Sequence, residues 1–83
     1  MATVELTPAA HKQAVRLTPV MLERVRKLIR RLEQWPMVSG AKPLSGDLAG
    51  WYRLRTGDYR LRFYVQGDTV IVDKIGHRSE FYE

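Results

Sequence analysis

Arginines recur at every second position on both sides of a Gly-Asp pair: Arg53 and Arg55 before Gly57-Asp58, then Arg60 and Arg62 after it. In strands, alternate side chains point to opposite faces, so each pair of arginines lies along one face of its strand. The chain then closes with Ile75-Gly76-His77-Arg78 and, four residues on, Tyr82. Guanidinium groups bind phosphate oxygens bidentately, and aromatic rings stack on unpaired bases. Trp51, Tyr64 and Tyr82 supply rings among the arginines. An arginine-studded face with interleaved aromatics suits RNA.

Arginine stays protonated and cannot serve as a base. Cleavage of RNA by its own 2′-OH needs one group to take the 2′ proton and another to protonate the departing 5′ oxygen. It also needs cations to stabilise the crowded phosphorane. Histidine exchanges a proton near neutrality, which makes His77 a candidate carrier. A tyrosine such as Tyr82 qualifies where neighbouring arginines lower its pKa from about 10. Taken singly, these residues are ordinary: a strand arginine protects an edge, and a Trp beside a sheet is core. His11 lies in a helix without matching partners, and Tyr59 falls among apolar residues. The functional reading rests on four arginines meeting on one face.

The remaining motifs exclude more than they offer. Asp58 and Asp68 sit in turns, where Asp is expected for backbone reasons. Asp47, Asp73 and Glu80 are scattered and complete no metal cluster. The chain has no P-loop, dinucleotide-binding glycine pattern or Ser-His-Asp spacing. No metal or cofactor is called for, and metal-independent phosphate chemistry is the catalytic reading that remains.

Several elements must position these residues. Residues 2–6 alternate weakly, as a first strand does. Thr7-Pro8 and Thr18-Pro19 each predict a helix start, with Thr as N-cap and Pro at the first helical position. The first helix runs to about Arg16. In the second, Leu22, Val25, Ile29, Leu32 and Trp35 form an amphipathic stripe with Leu28 adjoining, and Pro36 stops it. A loop is expected from Met37 to Gly50, which hold three glycines and Pro43. Strands follow at about 50–56, 58–66 and 68–76, joined by Gly-Asp turns. The fold class is α+β, in the order β-α-α-β-β-β. A helical hairpin packs on one face of a small, mainly antiparallel sheet and leaves the other face partly open. In the middle strand Tyr59, Leu61, Phe63 and Val65 face the helices, while Arg60, Arg62 and Tyr64 face away. A bulge at the turn would reverse one strand's parity.

Eighty-three residues are enough for one small domain, here 1–83. The 45% hydrophobic and 28% charged shares are those of an ordinary globule. No apolar run approaches the roughly 20 residues that cross a bilayer, and Met1–Glu5 do not open a secretory signal. The absence of cysteine fits a cytoplasmic setting. A net charge of +5 points to a polyanionic or acidic partner. Residues 1–50 hold eight Lys and Arg against four acids, and residues 51–83 six against five. The bulk charge therefore lies in the helical half, where a basic face is ordinarily solvated surface. The strands carry charge arranged by position.

The strand motif Gly50-Trp51-Tyr52-Arg53-Leu54-Arg55-x-Gly57-Asp58-Tyr59-Arg60, with Gly76-His77-Arg78 and Tyr82, resembles the RelE toxins of the RelE/ParE superfamily in bacterial toxin–antitoxin modules. The similarity extends through Trp35-Pro36 and Lys42-Pro43-Leu44. It implies a ribosome-dependent mRNA endoribonuclease that inhibits translation and is neutralised by a RelB-like cognate antitoxin. Such a partner, acidic and partly disordered, would offset the positive charge. Arg53 and Arg55 fall where the best-known member has lysines, Arg60 matches its phosphate-binding arginine, Arg78 falls near a second catalytic arginine, and Tyr82 matches a tyrosine near the C-terminus. Without a lysine base, proton abstraction shifts to His77 or Tyr82, with His77 as the leading carrier and Tyr82 stacking on a base or sharing the proton work. Trp51, Arg62 and Tyr64 are the accompanying RNA contacts. The alternative is a ParE-like toxin that binds DNA gyrase without RNA chemistry.

Overall fold

The computed structural model describes residues 1–81, and Tyr82 lies outside the described residues. Two threonines start the helices. Thr7 Oγ1 accepts the Ala10 N–H at 3.2 Å, and Thr18 Oγ1 accepts the Met21 N–H at 3.3 Å. Each cap is followed by proline, whose missing N–H costs nothing in the first turn. Helix α1 spans Pro8–Val15 and α2 spans Pro19–Leu32. Val25, Leu28 and Leu32 of α2 are buried, while Arg24, Arg26, Lys27, Arg30 and Arg31 remain exposed.

Regular helix ends at Leu32, short of the stop expected at Pro36. From Glu33 to Trp35 each N–H donates to the carbonyl three residues back, at 3.0–3.2 Å. This tighter winding is common at helix ends. It delivers Trp35 onto Tyr52 and Phe63, with ring centroids at 4.9 and 5.4 Å. The stripe thus completes the core with a residue that is no longer helical.

The strands are β1 (Thr3–Leu6), β2 (Lys42–Pro43), β3 (Trp51–Thr56), β4 (Tyr59–Gln66) and β5 (Thr69–His77). They form one sheet in the order β1-β5-β4-β3-β2, antiparallel except for the parallel β1–β5 pair. The stretch expected to be loop contains β2 and a 3₁₀ turn at Gly46–Leu48. Two paired residues carry no periodicity, which is why the sequence hid them. Gly57 and Gly67 both adopt φ 58° at the first position of the Gly-Asp turns, the conformation that two-residue hairpins require.

Leu54, Leu61, Phe63, Val70, Val72 and Ile75 are buried on the helix-covered face, with Ala10, Ala14, Val25, Leu28 and Leu32 opposite. Burying one such large apolar side chain contributes about 1.5–3 kcal/mol. The core residues of β5 break strict alternation, passing from Val72 to Ile75. The pairing explains this. Arg62 opposes Lys74 and Phe63 opposes Val72, so Asp73 is an extra residue in β5. The bulge lies within β5 rather than at a turn. It resets the parity of the strand and turns Ile75 back into the core. No helix among the described residues is long and apolar enough to cross a membrane.

Candidate nucleic-acid interface

The β3–β4 register sets Arg55 directly opposite Arg60, Arg53 opposite Arg62, and Trp51 opposite Tyr64. All lie on the face away from the helices, since Leu54 and Leu61 between them are buried. Like charges directly opposed across strands are destabilising. The row through Arg53 continues in both directions, with Lys42 opposite Arg53 and Lys74 opposite Arg62. The row through Arg55 and Arg60 ends on Gly76, so β5 offers no side chain beside Arg60.

Arg62 is held from within. Its Nε donates to Asp73 Oδ1 at 3.0 Å and its Nη2 to Oδ2 at 2.6 Å. Its guanidinium carbon also lies 5.0 Å from the centroid of Trp51, whose ring meets Tyr64 edge-on at 4.5 Å. Of the residues that the sequence proposed as RNA contacts, Trp51, Arg62 and Tyr64 thus form one packed cluster around the Asp73 bulge. Arg53 and Arg60 are partly buried and Arg55 is exposed.

His77 stands apart from the arginines. It pairs with Tyr59, which places it on the helix-covered side, and the two rings meet edge-on at 5.6 Å. Gly76, one residue earlier, is the one that faces with Arg60. The His77 ring caps the 3₁₀ turn Arg78–Glu80. Its Nδ1 accepts the Ser79 N–H at 3.1 Å, and the Glu80 carboxylate accepts the His77 N–H at 2.9 Å. Because an amide N–H only donates, Nδ1 accepts, and the neutral ring carries its proton on Nε2.

The tail is tied back by further contacts. The Arg78 N–H donates to the Asp58 carbonyl at 2.7 Å, which brings Arg78 to the same turn that Arg55 and Arg60 flank. Its Nε is 4.0 Å from the Asp58 carboxylate in an exposed pair. Lys74 Nζ donates to the Glu80 carbonyl and lies 4.7 Å from the ring centroid of buried Phe81. Glu80 packs so closely that a Cβ on Gly76 would fall 2.7 Å from its Oε1. Asp73, Lys74, Gly76 and Glu80 were missed as supporting residues. Only the glycine before His77 left a trace in the sequence, and the other three depend on the bulge and on the folded tail.

A pair of helices on one face of a five-stranded, mostly antiparallel sheet is the architecture of the RelE-fold toxins. The model of the ParE toxin of the type II toxin–antitoxin system parDE matches residues 4–82. The chain belongs to this family, within the RelE/ParE superfamily, and is a toxin of a type II toxin–antitoxin module. It is 32% identical over 83 residues to toxin RelG of Mycobacterium tuberculosis, covering 96% of this chain and 94% of that one. The toxin–antitoxin complex RelBE2 of the same organism superposes with a TM-score of 0.82 at 31% identity, covering 93% of this chain and 98% of the other. The isolated E. coli RelE toxin gives 0.78 at 18% identity, over 93% and 84% of the two chains, a likeness of fold alone.

Proposed function

We propose that this toxin is a metal-independent mRNA endoribonuclease that cuts message on the ribosome. The observation that carries the proposal is the direct opposition of Arg55 and Arg60 on the open face. Two guanidiniums carried on directly opposed residues can grip the non-bridging oxygens of one phosphate, and Arg53 adds a third cation one step along β3. Charge that develops on a phosphorane is stabilised by such preorganised donors, each worth about 10²–10³ in rate. The substrate's 2′ oxygen attacks the adjacent phosphorus and the P–O5′ bond breaks. The products are a 2′,3′-cyclic phosphate and a 5′-hydroxyl.

The proton carrier in this reading is Tyr82. His77 faces with Tyr59 rather than with Arg60, and its Nδ1 is occupied by the turn that it caps. Arg78, drawn to the Asp58 turn, assists at the leaving side. The partner that silences the toxin is a RelB-like antitoxin, in keeping with the toxin–antitoxin complexes among its structural relatives. Mapping of mRNA 5′ ends after induction tests the function, and discrete in-frame cuts are expected. Their absence, with intact message and arrested growth, would reject it.

A second reading draws on the matched family model, which describes a ParE toxin. There the arginine face would grip an acidic surface of DNA gyrase without RNA chemistry. Induction of DNA-damage signalling with uncut message would select that reading.

A further inference from the structure

We infer that Lys74 is a positioning residue: it latches Glu80 and Phe81 onto the open face and so sets the reach of Tyr82. The inference rests on the RNA reading above and names what keeps its proton carrier in range. Lys74 opposes Arg62 in the β4–β5 pairing and precedes buried Ile75, so its side chain stands on the open face.

By its place in the sheet, Lys74 is one more cation for the substrate, but its ammonium is turned onto the chain itself. Nζ donates to the Glu80 carbonyl and sits 4.7 Å from the centroid of the Phe81 ring. A carbonyl oxygen and a ring face are both electron-rich, and an ammonium with three N–H groups serves both at once. Phe81 is buried, yet it stands outside the core that the helices cover. With the Lys74 ammonium on its ring, Phe81 is packed on the open side of the sheet. Other contacts fasten the tail earlier in the chain. The His77 cap and the Glu80 carboxylate close the turn on itself, and the Arg78 N–H ties it to the Asp58 carbonyl. Lys74 takes hold at the exit of the turn, on the last two residues before Tyr82. The peptide linkage has a fixed length, so an anchored Phe81 bounds how far the Tyr82 hydroxyl can stray from the arginines. A misplacement of about 1 Å at a reacting group costs up to about 10²-fold in rate. The latch therefore acts on the chemical step and not on the hold of RNA.

The test pairs two measurements on Lys74→Met, which keeps the length and apolar stem of the side chain and removes its charge. The first is amide hydrogen exchange in the free toxin at Phe81, whose N–H donates to the Arg78 carbonyl at 3.1 Å. Exchange about tenfold faster than in the parent is expected. The second is kcat and KM for cutting of message on purified ribosomes. Here kcat is expected to fall about 10–100-fold while KM stays put. Lys74→Arg, still a donor and a ring partner, recovers most of both, and Lys27→Ala, on the exposed side of α2, alters neither. Unchanged exchange at Phe81 in Lys74→Met overturns the latch. Faster exchange with unchanged kcat, or a rise in KM in place of the fall in kcat, overturns the positioning role. If the unsubstituted toxin cuts no message, the RNA reading itself falls, and the exchange at Phe81 still decides the latch.

Discussion

Arg62 meets Asp73 side-on through two hydrogen bonds, and the acid that it meets is the extra residue of β5. The bulge thus has two effects. It returns Ile75 to the core, and it supplies a carboxylate that neutralises an arginine in the middle of a basic face. The pair is partly buried, with side chains 23% and 18% exposed. It stands between the surface case, worth at most about 1 kcal/mol, and the buried case, where removal of one partner costs about 3–5 kcal/mol.

Asp73→Asn should therefore destabilise the toxin by about 1–2 kcal/mol, read as a drop in melting temperature of several degrees. An Arg62→Met/Asp73→Asn double variant should recover part of the loss. A double variant no more stable than the additive sum would show that the two residues are not coupled.

Arg55 is exposed and faces Arg60 with like charge, so its removal relieves repulsion. Arg55→Ala should keep or slightly raise the melting temperature, while message cleavage falls about 10²–10³-fold in Arg55→Ala and in Arg60→Ala. A matched loss of stability and cleavage would mean that these residues hold the fold instead.

His77 and Tyr82 separate by substitution. His77→Asn keeps an N-capping acceptor and should retain cleavage, whereas Tyr82→Phe should abolish it with stability intact. Full growth arrest by Tyr82→Phe, or inactivity of a stably folded His77→Asn, would return the proton to His77.

Gly76→Ala places a methyl where the Glu80 carboxylate sits, 2.7 Å from its nearest oxygen. The carboxylate must swing away, leaving the His77 N–H without its acceptor at a cost of about 1 kcal/mol. Faster hydrogen exchange at the His77 amide is the expected signature. Exchange unchanged from the parent would show that the tail is held by other contacts.

Much of the fold was legible because it rests on local chemistry. The Thr-Pro pairs, the Gly-Asp turns and the apolar parity of β4 each declare an element within a few residues, and the strands fall within one residue of the expected bounds. β2 was not legible, since two residues form a strand only because Arg53 and Tyr52 are there to pair with them. The end of α2 was misplaced because Trp35 keeps the spacing of the stripe after the winding has tightened.

By itself, then, the sequence determined which residues carry cations and that alternation would gather the arginines along strand faces, because the two-residue period of a strand is a property of the backbone. Only the tertiary structure decided which of them act together. Register, not spacing, sets Arg55 against Arg60, ties Arg62 to Asp73 and adds Lys42 to the row. A one-residue bulge far along the chain reverses the parity of everything after it, and that moved His77 away from the arginines and put Gly76 in its place.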